Sequence, residues 1–143
     1  NSGNIITDAV FNQYKELCDK DNIEFEISGK LPENFNMAET DLCVLFSNLM
    51  SNAYEAAAQC EKDSSIIRTQ IRNNDDDVFI KLSNSVKGEV VFKNGLPVTD
   101  KPDRKNHGFG VENILEVVER NGGHVEWKQS DKGRFTADIM LNA

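Results

Sequence analysis

The sequence is short of positive charge. Its 16 lysines and arginines stand against 24 aspartates and glutamates, for a net charge of −8 at neutral pH. That deficit argues against nucleic acid as a partner and against direct membrane contact by this segment, since both need a basic face. Cysteine is scarce as well. Cys18, Cys43 and Cys60 are scattered, odd in number, and far from any Cys-x-x-Cys pair or neighbouring histidine. Neither a disulfide framework nor a zinc site is indicated, and a reducing, cytoplasmic setting is expected. No apolar run is long enough to read as a transmembrane helix or a secretory signal, and there are no repeats or low-complexity tracts. Histidine occurs only at His107 and His124. What remains is ordinary: 143 residues, 38% hydrophobic and 28% charged, enough for one domain with its own core.

The hydrophobic pattern predicts the order α-β-α-β-β-loop-α-β-β. Ile6, Val10, Phe11, Tyr14, Leu17 and Cys18 recur at helical spacing over 4–20, and Asp21-Asn22 breaks the run. Ile23-Glu24-Phe25-Glu26-Ile27 alternates as a strand with one buried face. A second helix is expected from Ala38 to about Glu61, with Glu39 and Asp41 favourably near its N-terminus. Strands at 66–72 and 78–84 flank the Asn73-Asn74-Asp75-Asp76-Asp77 turn, an acidic run that reads as solvated. Residues 87–107 carry scattered glycines and prolines without periodicity, and a loop of that length is expected to be functional, here a lid. A helix at 109–121 ending on Gly122 and a hairpin over 124–141 complete the chain. The predicted fold class is α/β, an α+β two-layer sandwich with a mixed sheet covered on one face by about three helices.

Two segments carry chemistry. Asn48, Asn52 and Glu55 fall at i, i+4 and i+7, one polar stripe on a helix whose other positions are Leu42, Leu45, Leu49, Met50, Ala53 and Ala57. Such a stripe is either a wet helix face or a polar wall that a ligand satisfies, such as a hydrated metal carrying phosphates. The second segment is His107-Gly108-Phe109-Gly110-Val111-Glu112-Asn113, which opens a helix. Its glycines permit close backbone approach, and free N–H groups at the helix start favour an anion. It is not a Walker A loop, because no Gly-Lys-Ser/Thr follows, and the third glycine of a dinucleotide fingerprint is absent.

Together these segments resemble the GHKL-type (Bergerat) ATP-binding domain shared by type II topoisomerase subunits, a chaperone family, histidine kinases and mismatch-repair ATPases. Asn48-x-x-x-Asn52 matches the N box, and Gly108-Phe109-Gly110-Val111-x-Asn113 matches the G2 box. Gly3-Asn4, Ile23-Glu24-Phe25, Leu31-Pro32 and Asp41-Leu42-Cys43 are similar to the catalytic-domain opening of Agr-type peptide quorum-sensing receptor kinases.

The resemblance implies a single catalytic domain over 1–143 of a sensor histidine kinase in two-component signalling, with a lid at about 87–107. Its cofactors would be ATP and Mg²⁺, with Asn52 the metal ligand. Nucleotide-binding candidates are Asn48, Asn52, Asn84, Lys105, His107, Gly108, Phe109 and Gly110, and the catalytic candidates are Asn48 and Glu55. The implied partners are phosphoacceptor dimerisation helices of the same parent protein and, indirectly, a response regulator. The parent would be a membrane-anchored bacterial receptor with this domain in the cytoplasm. Hydrolysing relatives carry Glu where Asn48 stands. Asn is neutral and no general base, which favours transfer to a nucleophile such as imidazole over hydrolysis.

The chain departs from the family at the Asp-x-Gly-x-Gly box that should follow Ser83-Asn84-Ser85; Asn84 stands where the adenine-reading Asp is expected. Glu55 has several open roles: orienting Asn52, holding a metal-bound water, guiding the acceptor, or a surface residue. Neither His107 nor His124 is placed on a helix that could present it, so the phosphoacceptor is expected elsewhere. Two rivals stand beside this reading, a serine kinase of the anti-sigma-factor type and a non-catalytic interaction module.

Overall fold

Helix α1 (Ile5–Lys20) begins where Asn4 offers its side-chain oxygen to the N–H of Thr7 at 2.9 Å. It stops at Asn22, whose φ of 57° turns the chain out while Ile23 N–H caps the Cys18 carbonyl. The computed structural model describes residues 1–61, 63–98, 110–130 and 133–143. Strand β1 (Glu24–Ser28) follows, then α2 (Glu39–Ala58), β2 (Ile66–Asn73) and β3 (Asp77–Ser85). A small hairpin, β4 (Phe92–Lys93) and β5 (Leu96–Pro97), precedes α3 (Gly110–Arg120), β6 (His124–Ser130) and β7 (Arg134–Asn142).

Five strands form one mixed sheet in the order β1-β2-β3-β7-β6. The β1–β2 pair is parallel, because α2 carries the chain back between them, and the other three pairs are antiparallel. The β2–β3 turn is closed by Asn74, whose Oδ1 accepts from the N–H groups of Asp76 and Asp77 at 2.9 and 2.8 Å. The acidic run is thus a turn built around an asparagine.

Side-chain alternation separates the two faces. Val78, Ile80, Leu82 and Asn84 of β3 point to the helices and are buried, whereas Phe79 and Lys81 point away. The outer face is charged and cross-linked by ion pairs between Arg68 and Glu26 at 2.7 Å and between Lys128 and Asp138 at 3.3 Å. Helix α2 is the centre of the helical layer. Leu42, Leu45, Phe46, Leu49, Met50, Ala53 and Ala57 are all buried, and Phe46 meets Phe11 of α1 edge-on with ring centroids 5.3 Å apart. This is the two-layer sandwich expected from the sequence.

The end of α3 is fixed by glycine chemistry. Gly122 adopts φ +71°, its N–H bonds the Glu119 carbonyl at 3.0 Å, and Gly123 N–H bonds Val118 at 2.9 Å. At the same end, Asp41 of α2 accepts from Arg120, the last residue of α3, at 2.8 Å and from Asn121 at 3.0 Å. That clamp joins the start of α2 to the end of α3.

Hydrogen bonds from Arg120 and Asn121 hold the Asp41 carboxyl below the usual carboxylate range. With the folded value below the unfolded one, the clamp's contribution is complete above the ordinary carboxylate pKa and is lost as pH falls through the folded value. Asp41→Asn is therefore expected to lower stability modestly at pH 7 and to lose less on acidification below about pH 4. Parallel denaturant titrations at pH 7 and pH 3 check this; equal acid losses in both proteins would contradict it.

Candidate functional site

The polar stripe of α2 faces the start of α3. Asn48 and Asn52 are half-buried, one turn apart, and a Cβ placed on Gly110 would lie 3.0 Å from Asn52 Oδ1, 3.3 Å from its Nδ2 and 3.5 Å from Asn48 Oδ1. Glycine lets the first turn of α3 approach both carboxamides this closely without displacing either. Asn48 is oriented by its own helix, with Nδ2 donating to the Val44 carbonyl at 2.6 Å, which leaves Oδ1 toward Gly110. Glu55, half-buried, continues the stripe one turn past Asn52.

Beside this polar wall lies a pocket of about 140 Å³ with mostly apolar walls. Asn52 and Ala53 of α2 form one side, and Trp127 of β6 and Phe135 of β7 form another. Asn84 is 2% exposed and also lines it. Its Nδ2 donates to the Ser85 carbonyl at 3.0 Å, so the arm left for the pocket is the acceptor Oδ1. Val90, Pro97 and Val98 of the β4–β5 segment close the outer side.

Chemically, this is a mostly apolar pocket with one buried acceptor among its lining residues. It opens beside two carboxamide oxygens and the N-terminus of an 11-residue helix. A helix N-terminus favours anions, and carboxamide oxygens are hard ligands of the kind Mg²⁺ takes while keeping several waters.

Asn52 and Gly110, with Asn48, are brought together, and Asn84 lies at the same pocket. Asn48 and Glu55 are not among the described residues lining that pocket. Lys105, His107, Gly108 and Phe109 lie outside the described residues, as does the 99–107 part of the expected lid. His124 opens β6 on the exposed face. Sequence reasoning missed Trp127 and Phe135. Their inward alternation on β6 and β7 was legible, but alternation cannot distinguish a core position from a pocket wall.

Residues 37–142 match the family model of the GHKL domain. Over 99 residues the chain is 26% identical to the sensor histidine kinase DpiB of Escherichia coli (strain K12), a match that takes in 64% of this chain and 18% of that protein. The backbone is similar to that of the catalytic domain of histidine kinase ThkA in a nucleotide-free form, with a TM-score of 0.74 at 16% identity over 96% of this chain and 90% of that one. It is also similar to the mycobacterial sensor histidine kinase MprB, with a TM-score of 0.63 at 13% identity over 94% of each chain. At these identities the structural likeness is one of fold.

Proposed function

The chain belongs to the GHKL domain family, and from that premise we propose that it is the ATP-binding catalytic domain of a sensor histidine kinase in two-component signalling. The observation that carries this is the meeting of Asn48, Asn52 and Gly110 beside a mostly apolar pocket that Asn84 also lines. The likeness to DpiB, a sensor histidine kinase, supports the same assignment.

In this reading adenine enters the slot against Trp127 and Phe135, and Asn84 Oδ1 accepts a hydrogen bond from its amino group. Guanine presents a carbonyl oxygen at that position, so the acceptor orientation of Asn84 favours adenine despite the missing aspartate. The phosphates lie along the first turn of α3. Mg²⁺, when bound, screens the phosphate charge that an acidic chain cannot neutralise by itself. Asn52 Oδ1 ligates the metal, and Asn48 holds the same corner without a general base. Glu55, Lys105, His107, Gly108 and Phe109 complete the proposed set. The acceptor is a histidine on dimerisation helices of the parent protein, from which a response regulator is served. An Agr-type receptor parent, with this domain in the cytoplasm, fits the opening motifs. No described helix is long and apolar enough to cross a membrane.

Trp127 is the single tryptophan of the chain and lines the pocket, so it reports occupancy directly. Titration with an ATP analogue and Mg²⁺ is expected to change its fluorescence saturably, and GTP is expected to do so more weakly. Absence of any saturable change, with calorimetry equally silent, would overturn the nucleotide reading.

Gly110→Ala tests the close approach. The new methyl displaces the Asn52 carboxamide by a few tenths of an ångström, a small cost because that group is the end of a flexible side chain. Thermal stability is expected to stay within ~0.5 kcal/mol of wild type. Affinity for the Mg²⁺-bound analogue is expected to fall about tenfold through loss of one well-placed oxygen contact. Unchanged affinity would show that Gly110 and Asn52 do not meet around the ligand.

A further inference from the structure

Gln129 sits near the end of β6, on the same inward-facing row as Val125 and Trp127. Both arms of its carboxamide are used on one short stretch of backbone. Oε1 accepts from Val90 N–H at 2.7 Å, and Nε2 donates to the Gly88 carbonyl at 2.7 Å. A side chain that engages one donor and one acceptor two residues apart behaves as a neighbouring strand would.

The stretch it grips leads into the β4–β5 hairpin, which is internally bonded. Phe92 pairs with Pro97, Lys93 pairs with Leu96, and Val98 N–H bonds the Val91 carbonyl at 2.8 Å. Burial holds this unit weakly, since Val91 is 65% exposed and Val98 44%. Its apolar ties to the body of the domain are Phe92 against Phe135, with centroids 6.1 Å apart, and the half-buried Leu96, which packs against the core. Among the described residues, the two bonds from Gln129 are the hydrogen bonds that fasten residues 87–98 to the five-stranded sheet. Yet Val90, Pro97 and Val98 line the same pocket as Trp127, two residues along β6 from Gln129.

We infer that Gln129 is a positioning residue for nucleotide binding: by pinning Gly88 and Val90 it sets the distance between the 90–98 wall and Trp127, and so the width of the base slot. This rests on the nucleotide reading above. It assigns Gln129 to the base and not to the phosphates, because nothing it holds lies at the Asn48–Asn52–Gly110 corner.

The experiment compares wild type, Gln129→Glu and Gln129→Met by calorimetry with an Mg²⁺-bound ATP analogue, and by competition with Mg²⁺-tripolyphosphate, which has the phosphates but no base. Gln129→Met removes both bonds at similar volume and is expected to lower analogue affinity about tenfold. Gln129→Glu keeps the acceptor for Val90 and sets an oxygen against the Gly88 carbonyl, so a smaller loss is expected. Tripolyphosphate affinity is expected to be the same in all three proteins, which general destabilisation would not produce. Amide exchange at Val90 should accelerate in the order wild type, Glu, Met.

Should Gln129→Met fail to fold, the Glu variant and its Val90 exchange rate carry the test. Wild-type-like analogue affinity in both variants, or a parallel loss of tripolyphosphate binding, would overturn this inference alone. Failure of wild type to bind the analogue would instead overturn the nucleotide reading beneath it.

Discussion

Asn52→Ala is expected to cut affinity for an Mg²⁺-bound ATP analogue by about 30-fold or more, the equivalent of ~2 kcal/mol for losing a contact to a charged partner. The expectation comes from position. Of Asn48 and Asn52, both of which face Gly110, Asn52 is the one that also lines the apolar pocket. Its oxygen is the hard, neutral ligand that Mg²⁺ accepts beside phosphate oxygens.

Folding should survive, because Asn52 is half-buried and alanine is the better helix former by roughly 0.5 kcal/mol. Calorimetric titration with and without Mg²⁺, beside a thermal melt, makes the check. If wild type and variant bind equally, or if the metal dependence of binding is unchanged, Asn52 does not hold the metal.

The second large effect concerns transfer itself. The 143-residue chain, incubated with γ-labelled ATP and Mg²⁺, is expected to bind nucleotide, turn it over very slowly and acquire no label. Asn48 carries no charge with which to deprotonate water, and its Nδ2 is already bound to Val44. His124 stands exposed on the sheet at the start of β6. Supplying the histidine-bearing dimerisation helices in the same polypeptide should restore labelling, since holding acceptor and donor together can contribute ~7–11 kcal/mol to the barrier. The label should be acid-labile, as a phosphoramidate is. Strong labelling of the isolated chain would refute a donor-only domain, and acid-stable label on serine would favour a serine kinase of the same fold.

The sequence was most informative where a short-range rule had no competitor. The Asn22 break and the Gly122 terminus each follow from the local conformational preferences of those residues, and α1 and α3 end there. The apolar positions of α2 mark its buried side, and alternation marks the inward rows of β1, β2 and β3, because helix and strand geometry impose those periods on any chain. The polar row Asn48–Asn52–Glu55 was legible for the same reason.

Other features belong to separations of tens of residues, where no local period operates. The pairing of β3 with β7, which sets Asn84 opposite Phe135, joins segments some fifty residues apart. The clamp from Asp41 to Arg120 and Asn121, the seating of Gly110 against Asn52, and the grip of Gln129 on Gly88 and Val90 are of the same kind. The residues that would read a phosphate were therefore visible as a pattern within single helices. The slot that would read a base was not, because its walls come from α2, β3, β6, β7 and the β4–β5 hairpin, and they become neighbours only when the sheet closes beneath the helices.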